Sequence, residues 1–215
     1  MEKRGIIIYF LFIFLLILCF YLDNPISLAI ARLRTDFLNN LFVFITSITN
    51  EILIIFFFSL FFIWKDEKRE WILPLWISFI IGAVLSLIIK ISVQRLRPFQ
   101  QGLINTLPSL VEQSHSLWNF SFPSSHTLLA FCLLPILIKA YPKLKEFFIS
   151  LMLFIGFSRI YLGLHFLSDV FAGAIIGYGI GKLVVMKEEN TKFGERTYKK
   201  IREKIKVIKR KTFGR

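Results

Sequence analysis

Residues 71–98 read WILPLWISFIIGAVLSLIIKISVQRLRP. From Trp71 to Ser92 the one charge is Lys90, and Arg97-Pro98 follows after six further residues. A helix of about 20 apolar residues crosses a hydrocarbon core of about 30 Å, so this stretch has the length of a membrane span. A charge at the end of such a run needs a partner or a function. Five more apolar runs can be marked, at roughly 5–22, 41–64, 124–141, 147–166 and 169–186. None alternates as a barrel strand does, and backbone groups cannot go unpaired in lipid, so each is expected to be helical. The expected fold is all-α, a polytopic six-transmembrane-helix bundle over residues 1–186 with a basic cytoplasmic tail at 187–215.

Composition agrees. Of the 215 residues 55% are hydrophobic, 25 of them phenylalanine, and mean hydropathy is +0.65, well above a soluble domain. No small-x-small cleavage site follows the first run, which is read as a retained helix rather than a signal peptide. Thr46, Ser47, Thr49, Asn50 and Glu51 interrupt the second run, so its span is expected to begin near Asn50, with residues 26–48 partly along the interface. Cys19 and Cys132 lie inside apolar runs and read as small buried hydrophobes. No Cys/His cluster has metal-ligand spacing, so no metal and no cofactor are expected.

Basic residues set the orientation. With both termini cytoplasmic, the inner side holds Lys3, Arg4, Lys65, Lys68, Arg69, Lys139, Lys143, Lys145 and a tail with twelve basic and four acidic residues. The outer side keeps Arg32, Arg34, Lys90, Arg95, Arg97 and Arg159, and positive-inside bias favours this arrangement. In the tail, Tyr198, Ile201, Ile205 and Ile208 recur at helical spacing. Two readings stand: a basic amphipathic helix on the anionic inner leaflet, or a solvated tail that enforces topology. Nucleic acid is not an expected partner, despite the net charge of +13.

Three charged fragments then fall on the same outer face. Lys90 and Arg97 are two helical turns apart and can point to one side, with Pro98 ending the helix; snorkelling to the headgroups is the competing reading, and it is the one given to Arg95. Pro123-Ser124-Ser125-His126 opens the fourth run, where a helix N-terminus offers free N–H groups to an anion, or is simply a capped start. Ser158-Arg159-x5-His165-x3-Asp169 spaces His165 and Asp169 at i, i+4, so that Asp169 can hold one ring nitrogen and leave the other as a lone pair. Arg159 reaches the same place across a bend at Gly163. Gly173, Gly177 and Gly181 recur every fourth residue and read as a close-packing face. His115 and Trp118, in the loop 99–122, either contact a headgroup or anchor the loop; Glu51 either faces the substrate path or caps the second span.

In order and spacing these fragments resemble the signature of the type 2 phosphatidic acid phosphatase (PAP2) family of membrane lipid phosphatases. The pattern departs at Ser125, where the family usually has Gly. The resemblance implies His165 as the nucleophile that becomes phosphohistidine, His126 as general acid and then base, and Asp169 as the group orienting His165. It implies Lys90, Arg97, Arg159, Ser124, Ser125 and backbone amides as holders of the phosphoryl oxygens. The implied activity is metal-independent hydrolysis, at the outer face of the cell membrane, of a polyprenyl carrier such as undecaprenyl diphosphate. Phosphatidylglycerophosphate, phosphatidate and lipid A phosphate are alternatives within that chemistry. A lipid phosphotransferase, a vanadium haloperoxidase and a non-catalytic transporter or scaffold are the other readings.

Overall fold

The computed structural model describes residues 2–48, 50–106 and 119–213, and among these all regular structure is helical. The helices are α1 (Glu2–Arg32), α2 (Asp36–Ile48), α3 (Glu51–Trp64), α4 (Ile72–Val93), α5 (Ser125–Ala140), α6 (Lys145–Tyr161), α7 (Leu167–Thr191) and α8 (Phe193–Phe213). Short 3-10 turns at Asp66–Trp71 and Pro142–Leu144 join α3 to α4 and α5 to α6. His115 and Trp118 lie outside the described residues.

The second run is two helices, as its polar interruption suggested. Asn50 caps α3, its Oδ1 accepting from the Ile52 N–H at 3.0 Å, and Glu51 is the first helical residue. The first run departs from expectation: α1 continues through Asp23 and Pro25 to Arg32. Asp23, just past the apolar run, is buried against partners from two other segments and so stays within the helix.

Among the described residues three helices are long and apolar enough to cross a membrane, namely Phe10–Arg32, Asp66–Val93 and Leu167–Thr191, with α2 and α3 together making a fourth candidate. The expected count of six is therefore not met by length alone. At 16 residues α5 rises only about 24 Å. Most of its residues are buried, so its surroundings are protein rather than lipid.

The α5–α7 seam organises the bundle. A Cβ on Gly177 would lie 2.1 Å from the Leu128 carbonyl oxygen, one on Gly181 2.3 Å from that of Cys132, and one on Gly173 2.9 Å from that of Ser124. The four-residue spacing is thus a face on which the α5 backbone rests directly. Phe58 and Leu75 join Leu133, Leu137, Phe148 and Met152 in the core beside this seam, while Phe14, Phe57, Leu60, Ile88 and Leu183 face outward as an apolar belt. Cys132 is buried, and both cysteines are free.

Candidate active site

Four helix ends and the described residues that flank them meet at one end of α5 and α7. Helix α4 stops at Val93, earlier than Pro98 suggested, because Gln94 adopts φ 50° and donates its N–H to the Lys90 carbonyl at 2.9 Å. Lys90 is therefore in the last turn of α4, whereas Arg97 lies in the irregular segment beyond it; they converge without sharing a helical face. Lys90 is 4% exposed and donates to the Phe120 carbonyl. Arg97 donates from Nε to the Asn119 carbonyl and from Nη1 to that of Leu164, both at 3.1 Å, and its Nη1 lies 3.4 Å from His165 Nε2.

On the α5 side Ser124 is the N-cap residue, fully buried, its N–H donating to the Asp169 carbonyl at 3.1 Å and its Oγ accepting from Thr127 at 3.0 Å. It stitches α5 to α7 and is not part of the cavity wall. Ser125 is the first helical residue, its Oγ 2.9 Å from Ser86 Oγ of α4, and His126 follows it, half-buried. Arg159, in the last turn of α6, is 5% exposed and donates from Nη1 to Thr46 Oγ1 of α2 at 3.1 Å.

The turn from α6 to α7 delivers His165. Gly163 at φ +73° makes the expected bend, a backbone conformation that strains any side chain, and the Arg34 guanidinium, 2.7 Å from where its Cβ would be, would also have to shift. His165 is 2% exposed. Its Nδ1 is 2.8 Å from the Ser121 carbonyl oxygen, an acceptor only, so Nδ1 carries the hydrogen and Nε2 keeps the lone pair facing Arg97. Asp169 Oδ2 lies 3.7 Å from Nδ1, beyond hydrogen-bond reach. The direct Asp169–His165 bond expected from their spacing is replaced by Ser121, whose carbonyl takes the ring N–H while its hydroxyl donates to Asp169 Oδ2 at 2.5 Å. Burial, then repulsion from Arg97, Lys90, Arg159 and His126, holds the imidazole well below its ordinary pKa of 6.5, so the ring is neutral at pH 7.

A cavity of about 560 Å³ opens in front of Nε2. Lys90, Arg97, Arg159, His126 and His165 form its polar end with Ser125, and Ile52, Phe79, Ala83, Leu87 and Leu129 form an apolar wall. Among the described residues no group of three His, Cys, Asp or Glu side chains is placed to hold a metal. The polar end suits a multiply charged anion, and the apolar wall suits a chain attached to it.

Three residues of the centre were not anticipated. Arg95 does not snorkel: it is half-buried between Asp23 and Asp169, 2.7 Å from each carboxylate, with its guanidinium 4.1 Å from the centre of the Phe166 ring. Asp23 and Ser121 complete that cluster. A carboxylate inside an apolar helix requires a partner, and for Asp23 that was the available signal.

Residues 71–192 match the family described as the PAP2 superfamily, and the chain belongs to it. It is 29% identical over 187 residues to phosphatidylglycerophosphatase B of Bacillus subtilis (strain 168), covering 79% of this chain and 85% of that one. It is 32% identical over 152 residues to undecaprenyl-diphosphatase of Sulfolobus acidocaldarius, covering 70% and 71%. The crystal structure of the transmembrane PAP2-type phosphatidylglycerolphosphate phosphatase from Bacillus subtilis superposes with a TM-score of 0.66 at 27% identity, over 84% of this chain and 95% of that one. The chain is thus a membrane protein of a phosphatase family.

Proposed function

We propose that this protein hydrolyses a membrane lipid phosphate or diphosphate through a phosphohistidine on His165. The observation that carries the reading is the aim of His165: Nδ1 is tied back to a carbonyl, and Nε2 faces a cavity ringed by three cations. Nε2 attacks phosphorus, the N–P bond forms and the bond to the lipid oxygen breaks, with His126 giving that oxygen its proton. His126 then takes a proton from water, whose oxygen attacks phosphorus, breaks the N–P bond and frees orthophosphate. Lys90, Arg97 and Arg159 neutralise the phosphoryl oxygens as charge shifts onto them, and the first amides of α5 offer further donors. In this reading the cations do the work that metal ions do elsewhere, and no cofactor takes part.

The apolar wall supports a lipid substrate, and relatives named for undecaprenyl diphosphate and phosphatidylglycerophosphate support two candidates. Undecaprenyl diphosphate is the preferred one, with phosphatidylglycerophosphate, phosphatidate and lipid A phosphate as alternatives. The arrangement that accompanies this is six spans in the cell membrane, both termini cytoplasmic and the site outside. The basic helix α8 then lies along the inner leaflet. Glu188 of α7 accepts from the Gly194 N–H at 2.8 Å and the Glu195 N–H at 3.1 Å, pinning the start of α8, while Ile201 and Ile205 stay about half exposed beside its lysines.

The test is phosphate release by detergent-purified protein in EDTA from those four lipids, with His165→Ala alongside. Release that persists in EDTA and vanishes in the variant is expected. Release that needs a metal, or survives the substitution, overturns the mechanism.

A further inference from the structure

Behind His165, away from the cavity, lies a chain of largely buried charges, of which only Asp169 has a part in the chemistry above. Asp23 of α1 is 2% exposed and accepts from the Ser168 N–H at 2.8 Å and the Ser168 hydroxyl at 2.5 Å. It also accepts from Arg95 Nη2 at 2.7 Å. Arg95 Nη1 donates to Asp169 Oδ1 at 2.7 Å and to Ser168 Oγ at 2.6 Å. Asp169 Oδ2 accepts from Ser121 Oγ and from the Phe166 N–H, and Ser121 passes the contact to His165 Nδ1 through its carbonyl.

We propose that Asp23, through Arg95, is a positioning residue of the catalytic centre: the pair sets the charge behind Asp169 and so the basicity of His165. This rests on His165 being the nucleophile. The charged groups that face His165 divide into two sides. Toward the cavity stand Lys90 of α4, Arg97 after it, His126 of α5 and Arg159 of α6; behind stand Asp169 of α7, Arg95 and Asp23. The rear side counts two carboxylates against one guanidinium. When His165 takes a phosphoryl group while Nδ1 keeps its hydrogen, the ring becomes cationic, and a rear side of net negative charge stabilises that state against the cations in front. Without Asp23 the rear side is neutral; without Arg95 it carries two uncompensated carboxylates. The guanidinium is also fixed in place, packed against the Phe20 and Phe166 rings at 5.0 and 4.1 Å from their centres. Residues 71–192 match the family and Asp23 stands outside them, so α1 contributes to the centre as well as to the bundle.

The experiment compares Asp23→Asn, Arg95→Gln, the double variant and His165→Ala with the parent, all purified in detergent and checked for folding by gel filtration and thermal unfolding. Phosphate release is followed against pH. Asp23→Asn is expected to move the acid limb of kcat/KM to lower pH and Arg95→Gln to move it higher, each by roughly half a unit to one unit, since one buried charge is changed at a distance. The double variant returns toward the parent. In each single variant kcat falls by roughly 10- to 100-fold, as for the outer partners of ligating histidines, while KM stays within about twofold. Asp23→Glu, which keeps the charge, retains the parent limb. An acid limb that is unmoved, or moves the same way in both single variants, overturns the proposal. Where Arg95→Gln is not recovered folded, the direction of the Asp23→Asn shift decides alone. Release by His165→Ala would instead overturn the nucleophile on which the proposal rests.

Discussion

Ser125 brings a hydroxyl to the first turn of α5, and Ser86 on α4 meets it at 2.9 Å. The hydroxyl thus has a partner within the protein and ties two helices together at the rim of the cavity. Ser125→Gly is expected to cost about 1 kcal/mol of stability, the worth of one neutral hydrogen bond, and to leave phosphate release within about threefold. Thermal unfolding and initial rates measure both. His165 makes a sharper prediction through its depressed pKa. The unfolded chain takes up a proton near pH 6.5 and the folded one only at lower pH, so the unfolded state binds more protons in between. The stability from keeping this ring neutral is fully present above pH 6.5 and is lost as pH falls toward the folded pKa. The parent is expected to lose thermal stability over that acid window more steeply than His165→Gln; parallel slopes would contradict it. The i, i+4 spacing of His165 and Asp169 was legible in the sequence. The hydrogen-bond path between them was not, because Ser121 comes from a loop 44 residues before His165 and no local periodicity marks it.

Helices were legible wherever apolar length decided the matter, and their ends were misread where a tertiary partner decided instead. The first apolar run extends only to Leu22, yet Arg95 and Ser168 hold Asp23 inside α1, which continues to Arg32. Pro98 read as the stop of α4, yet Gln94 turns the chain out one helical turn sooner. The glycine spacing of α7 did carry through, because close approach depends on side-chain size alone. Gly177→Ala places a methyl 2.1 Å from a backbone carbonyl, where no side chain can yield. The expected loss is about 1–3 kcal/mol, the range for overpacking a filled interface. A thermal scan in detergent reads it, and an unchanged melting temperature would show that α5 and α7 can part without cost.

At the scale of the whole molecule, the asymmetry of basic residues predicts which end faces the cytoplasm. In a background where Cys19 and Cys132 are replaced by serine, Asn105→Cys is expected to react with a membrane-impermeant maleimide on intact cells. Lys143→Cys is expected to react only after permeabilisation. The reverse pattern would place the cavity on the cytoplasmic side.

The glycine seam has one more effect. Gly173 meets Ser124, Gly177 meets Leu128 and Gly181 meets Cys132, so α5 and α7 run in the same direction and their macrodipoles add instead of cancelling. Both positive ends lie beside the cavity, at Ser125 and Leu167, and both negative ends lie together near Ala140 and Thr191. Lys139, which pairs with Glu189, and Lys143, Lys145 and Lys192 are gathered at those negative ends. Lysines at that end offset the far pole of the helix pair and the Glu189 carboxylate beside it, while the near pole faces the cavity.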